Sequence, residues 1–274
     1  MDIEQTPNTH RRIPPAVLLD TGKYLLVMAG IAWLLAAGSA RLGYNWQWYR
    51  IPPFLFRHTA DGYVLGPLMK GLGVTLEITA MSMGLMLALG LATALMRMSR
   101  SVVAVGLARA YMEIIRNTPL LIQLFFLYFV AAPILGMSGF WAAIISLSLF
   151  EGAYASEIFR AGITSIDRGQ WEAAKSLGMT PAVMYRRIIL PQAVRRVLPP
   201  LTSQAVSLVK DSALVSTVAI LDLTQRGRMI DAETFLTFEI WFTVAAIYLA
   251  VTLTLSGVAR MLEKRLGGFR PPNP

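Results

Sequence analysis

Residues 169–193 read GQWEAAKSLGMTPAVMYRRIILPQA. Long apolar runs dominate the rest of the chain, whereas this stretch is basic, marked by prolines and only patchily apolar. Gln170 to Leu177 are good helix formers, and Gly178 suits the left-handed position that ends a helix. Thr180 can cap a second helix with Pro181 at its first position. That helix carries Met184 and Ile188 on one face, and Pro191 is expected to interrupt it. Between Arg160 and Arg196 no apolar run reaches the roughly 18 residues a crossing needs. The pattern therefore predicts a helical hairpin that stays outside the bilayer.

The surrounding composition is that of a membrane protein. Of 274 residues, 55% are hydrophobic and 15% charged, against about a quarter charged in an ordinary soluble domain. The absence of cysteine excludes disulfides, thiol catalysis and cysteine-based zinc sites. His10 and His58 are too few and too far apart to suggest a metal cluster. The net charge of +9 could suggest nucleic acid, but the basic residues sit beside the apolar runs. That placement fits the excess of cations on the cytoplasmic side of a membrane, so lipid rather than nucleic acid is the expected partner.

Six stretches are candidates for spanning helices: 24–40, 72–95, 102–135, 139–158, 198–221 and 239–260. The third contains Pro119 and reads either as one kinked helix or as a surface helix followed by a crossing. Charge sets the parity. Cations outnumber acids over 97–109, 160–196 and 260–270, so these segments belong in the cytoplasm, with an even number of crossings between each. This requires 102–135 to cross once and places the mildly acidic segment 222–238 outside. The core is then five crossings. The stretch 24–40 is read as an extra N-terminal transmembrane helix, since 23 residues before Tyr24 are too many for the leading segment of a signal peptide. The aromatic loop after it, with Trp46, Trp48, Tyr49, Phe54 and Phe56, is expected along the membrane interface.

Ionisable residues fall in or near these spans: Glu77, Glu113, Arg116, Glu151, Glu157, Lys210 and Asp211. Each costs about 2.5–3.5 kcal/mol at a helix centre, so such groups should face one another or a polar cavity. Arg116, Glu151, Glu157, Lys210 and Asp211 are taken together as candidates for a substrate pathway. No phosphate-cradling loop and no hydrolase arrangement is present, so no catalytic residue is assigned. A transporter without an engine must use an ion gradient or borrow ATP hydrolysis from a partner.

Several stretches then carry a family resemblance. Glu172-Ala173-Ala174, Gly178, Ile188 and Leu190-Pro191 match the E-A-A-x3-G-x9-I-x-L-P pattern of permease subunits in binding-protein-dependent ABC importers. The run EIIRNTPLLIQ from Glu113 to Gln123, and GAYASEIFRAG from Gly152 to Gly162, resemble segments of the polar amino-acid (histidine, glutamate and glutamine type) permeases. The resemblance covers roughly 67–265. It implies an all-α integral membrane protein of the bacterial cytoplasmic (inner) membrane, with a five-helix permease core plus the extra N-terminal helix. Three regions are expected. Residues 1–66 hold the tail, extra helix and interfacial loop; 67–265 form the permease domain with a cytoplasmic coupling loop over 160–197; 266–274 form a tail. The resemblance also implies that Glu172, Ala173, Ala174 and Gly178 couple to a cytoplasmic ATP-binding subunit dimer. A second permease subunit, identical or paralogous, and an extracytoplasmic solute-binding protein complete the system. The chain itself would hold no cofactor, because ATP is used by the partner. An ion-coupled secondary carrier of small polar solutes is the alternative.

Overall fold

The computed structural model describes residues 15–41, 43–59 and 62–265; the tail expected over 266–274 lies outside them. Contacts divide the chain into two units, Met1–Gln47 and Trp48–Pro274. The first contains helix α1 (Pro15–Arg41), which encloses the expected 24–40 stretch. At 1.5 Å per residue it reaches about 40 Å, more than the roughly 30 Å of hydrocarbon. Its Leu25, Leu26, Trp33 and Leu34 side chains are exposed.

The second unit opens with a short turn, Trp48–Arg50, helix α2 (Pro52–Leu55) and an antiparallel hairpin of β1 (Phe56–Thr59) and β2 (Gly62–Leu65). Nothing in the interfacial reading of this loop anticipated strands, because four residues each are too few for a period of two to stand out. Helices follow: α3 (Pro67–Met98), α4 (Val102–Arg116), α5 (Leu120–Phe125), a π-helical turn (Phe126–Ala131), α6 (Ala132–Leu135) and α7 (Gly139–Thr164). Next come α8 (Arg168–Ser176), α9 (Pro181–Met184), a second π-helical turn (Tyr185–Ile189) and α10 (Leu190–Asp211). A 3-10 segment (Ser212–Val218), α11 (Leu223–Thr234) and α12 (Thr237–Arg265) complete it.

Among the described residues three helices are long and apolar enough to cross a membrane, α3, α7 and α12, and α4 with α5–α6 forms a bent pair. The bend is 105°. Two rods at that angle cannot both run along the membrane normal, so the pair makes at most one crossing. Pro119 makes the break by removing a donor, and Gln123 stabilises it. The Gln123 Nε2 donates to the carbonyls of Ile115 at 2.8 Å and Thr118 at 3.0 Å, which the broken helix leaves without partners. The expected 198–221 crossing falls on α10 and the segment after it. Helix α10 carries Pro199, Pro200, Lys210 and Asp211, and among the described helices it is not one that is long and apolar enough to cross, so this expected crossing differs from the apolar spans around it.

Helix α7 is the most buried of the apolar spans and packs chiefly on α3. Small residues and hydroxyls bring the two together, as expected where lipid offers no hydrophobic incentive. Ser82 Oγ donates to the Ile144 carbonyl at 3.4 Å, and Ser148 Oγ to the same carbonyl at 2.6 Å and to Ser82 O at 3.3 Å. A Cβ on Gly90 would lie 2.7 Å from that of Ala155, whereas Gly73 and Gly84 face open space. Only part of the glycine set of this helix therefore serves close packing. Around this crossing lie Ile78, Met86, Leu124, Ile144, Leu147 and Leu208.

At the other end of α3, α11 is tied on by the backbone N–H of Leu223, which donates to Thr75 Oγ1 at 3.1 Å. Asp222 caps α11 by accepting from the Gln225 N–H at 2.8 Å, and it is buried. Burial raises its pKa to about 6 from 3.8. Because the folded value is the higher one, Asp222 favours folding fully below pH 3.8, and that contribution is lost as pH rises through about 6.

Gly90→Val should overpack the α3–α7 crossing and destabilise by about 1–3 kcal/mol. Gly84→Val should change stability by less than about 0.5 kcal/mol. Denaturant unfolding in detergent separates the two, and equal effects would contradict the crossing described.

Candidate functional site

Two clusters of polar and charged residues stand out in the second unit, and α10 connects them. The first is the segment quoted at the outset. Asp167 caps α8, accepting from the Gly169 N–H at 2.6 Å. At its other end Gly178 adopts φ +66°, a conformation that costs other residues about 1–2 kcal/mol. The Gly178 N–H donates to Lys175 O at 2.9 Å and the Met179 N–H to Ala174 O at 3.1 Å, closing the last turn of α8.

The four residues expected to act together here have different surroundings. Glu172, Ala173 and Gly178 are exposed, while Ala174 is fully buried. Ala174 packs with Ile163, Ile166, Met184, Ile189 and Ala193 in a small apolar core, flanked by Trp171 and Met179. Its small side chain therefore seats α8 on its own chain, and Glu172 and Ala173 form the outward face. Trp171 and Tyr185 meet edge to face at 5.4 Å, and Gln192 donates to Gln170 at 3.3 Å. The Arg168–Glu172 bridge of 2.9 Å lies in solvent and contributes little.

Two local expectations change. Thr180 occupies the N-cap position with Pro181 after it, but its side chain makes no capping bond. Pro191 does not interrupt the second helix. The π-helical turn before it, in which the Leu190 N–H donates to Tyr185 O, accommodates the donor that Pro191 lacks. Helix therefore continues without a gap from Pro181 to Asp211.

The second region lies along α7 and α10. Glu151 is fully buried, its Oε2 accepts a hydrogen bond from Gln204 of α10, and the Asp211 side chain lies beside it. Glu157 accepts from Arg97 of α3 and from Arg160 one turn on. The Arg116 guanidinium sits over the Tyr154 ring, 5.5 Å from its centroid. A cavity of about 470 Å³ gathers Arg116, Tyr154, Glu157, Arg196 and Gln204 at its wall. On the other side of Arg116 and Tyr154 a cavity of about 280 Å³ is lined by Arg97, Arg109 and Glu113. Arg116 and Tyr154 thus line both cavities.

Of the five expected pathway residues, Arg116 and Glu157 meet at one cavity, and Gln204 links Glu151 and its neighbour Asp211 to the same wall. Lys210 is exposed and forms no ion pair with Asp211 among the described residues. Adjacent residues on a helix point about 100° apart, which separates them. Sequence reasoning missed Gln204 and Tyr154, neutral residues that carry no cost signal in a span. Arg97 counted only toward charge parity, although it holds Glu157.

The protein family described as the inner membrane component of binding-protein-dependent transport systems matches residues 84–268. A glutamine transport system permease protein of Escherichia coli (strain K12) is 37% identical over 203 residues, covering 73% of this chain and 92% of that protein. The crystal structure of an amino acid ABC transporter with histidines superposes with a TM-score of 0.68 at 39% identity, over 73% of this chain and 94% of that one. An inward-facing methionine ABC transporter shares the fold, with a TM-score of 0.64 at 21% identity over 73% of this chain and 96% of that one.

Gln204→Leu should leave the Glu151 carboxyl short of a buried partner and destabilise by about 1–3 kcal/mol. Adding Glu151→Leu should recover much of that loss, because no polar group is then stranded. Thermal unfolding of the single and double variants in detergent measures the coupling, and strict additivity would contradict it.

Proposed function

The chain belongs to the family of inner membrane components of binding-protein-dependent transport systems, and on that premise we propose that it carries glutamine or a closely similar polar amino acid into the cell. It is a multi-pass permease subunit of the bacterial inner membrane, and its family works with an ATP-binding subunit and a substrate-binding protein. The observation that carries the substrate reading is the 470 Å³ cavity, which offers a guanidinium from Arg116, a carboxylate from Glu157 and an amide from Gln204. A free amino acid presents the complementary carboxylate and ammonium, and a volume of this order suits a small solute. The relatives' own names point to glutamine and other amino acids.

In this reading the permease domain is 67–265 and its coupling loop is 160–197. Glu172 and Ala173 meet the ATP-binding subunit, while Ala174 and Gly178 fix the shape of α8. ATP is bound and hydrolysed only by that partner; this chain holds no cofactor and catalyses nothing. Closure of the paired ATP-binding subunits pushes on α8, and the unbroken helix from Pro181 to Asp211 transmits the push to Gln204 at the cavity wall. Arg196 supports the lever by donating to Ser165 at the end of α7. Two permease subunits, identical or related, enclose the route, and the solute-binding protein loads it from outside.

Vesicles containing the permease and its ATP-binding subunit, supplied with the binding protein, should take up labelled glutamine only with ATP. Ala173→Glu should lower uptake at least about tenfold, equivalent to about 1.4 kcal/mol of coupling, with the fold intact. Arg116→Gln should raise the glutamine concentration needed for half-maximal transport. Uptake driven by an ion gradient without the ATP-binding subunit would overturn the proposal in favour of a secondary carrier.

A further inference from the structure

A third cavity, of about 420 Å³, lies at the opposite end of α3 from Arg97 and is lined by Arg57, Lys70 and Arg226 together with Val64, Leu65 and Pro67. Its lining contains three cations and no acid. None of the three forms an ion pair among the described residues. Arg57 Nε donates weakly to Pro53 O at 3.4 Å, and Arg226 Nε is buried with no hydrogen-bond partner. A stranded buried donor costs stability, and three like charges around one space repel. An anion in the cavity relieves both.

Its surroundings select the kind of anion. Pro67 begins the first span of the core, so the cavity sits at the level where hydrocarbon gives way to headgroups. Tyr49, Phe56 and Tyr63, nearby in sequence, are exposed, as aromatic side chains are at that depth. Within the lining, Val64 and Leu65 are also exposed, 43% and 50%. A free phosphate or an acidic peptide in water would satisfy the cations and leave this apolar wall wet. A phospholipid joins a phosphate directly to acyl chains and matches both halves. A zwitterionic headgroup would bring its own ammonium to three cations, so a net negative one fits better.

We propose that Arg57, Lys70 and Arg226 bind the phosphate of an anionic phospholipid in the outer leaflet, with Val64 and Leu65 against its chains. Most of this site precedes residue 84, where the family match begins, and Arg226 is brought to it by α11 lying against α3. The site does not depend on which solute is carried.

Native mass spectrometry of the full-length chain tests the proposal, with phosphatidylglycerol, phosphatidylcholine or inorganic phosphate added in turn. The wild-type chain should retain one phosphatidylglycerol at least about tenfold more tightly than phosphatidylcholine. Each cation near a membrane surface contributes about fivefold, so Arg57→Gln/Lys70→Gln/Arg226→Gln should abolish the preference. Arg57→Lys/Lys70→Arg/Arg226→Lys should keep it, which separates lost charge from lost folding. Equal retention of phosphatidylglycerol by the wild type and the neutralised variant would overturn the proposal. So would binding of inorganic phosphate without lipid preference, which marks a simple anion site. Weakened association with the solute-binding protein and unchanged lipid retention would overturn it too, assigning the cations to protein docking.

Discussion

Everything functional in the permease core is referred to the crossing of α3 and α7. Lipid gives two helices no hydrophobic reason to meet, so the contact must come from close approach and from hydrogen bonds. Gly90 against Ala155 supplies the first, and Ser82, Ile144 and Ser148 the second. The same pair of helices then brings Arg97 to Glu157. With α7 fixed in this way, Glu151, Tyr154 and Glu157 have defined positions, and α10 and α4 place Gln204 and Arg116 relative to them. Polar groups that would each be costly in hydrocarbon are made tolerable by one another.

The second organising feature is continuity. A helix that stopped at Pro191 would have put a joint between the 169–190 segment and α10 behind it. A π-helical turn over Tyr185–Ile189 and a proline in the first turn of α10 remove that joint. At one end of the resulting rod is the α8 turn, seated through Ala174 and closed by Gly178; at the other are Gln204 and Asp211 beside Glu151. From Pro181 onward the turn and the cavity wall are therefore joined by continuous helix backbone.

Much of the site was legible from residue type alone. Charges are expensive in a bilayer, so Glu151, Glu157 and Arg116 stood out and the structure gives each a partner. The capping logic around Gly178 followed from backbone sterics. Neutral partners carried no such signal: Gln204, Tyr154 and Gln123 matter only because of what folding brings within reach of them. Lys210 and Asp211 show the converse: both were candidates for one pathway, yet helix geometry sends Lys210 to the surface and Asp211 toward Glu151. The strands over 56–65 were too short for their alternation to be read.

By itself the sequence determined that this chain lives in a membrane, and that the stretch from Gly169 to Ala193 holds no apolar run long enough to cross it. Those conclusions depend on transfer free energies and charge, which belong to residues one at a time. Tertiary structure alone decided that Ala174 faces inward while Glu172 and Ala173 face outward. It also decided that α4 turns through 105° into α5, and that Arg57, Lys70 and Arg226 share one cavity. These are relations between several residues at once, and only packing sets them.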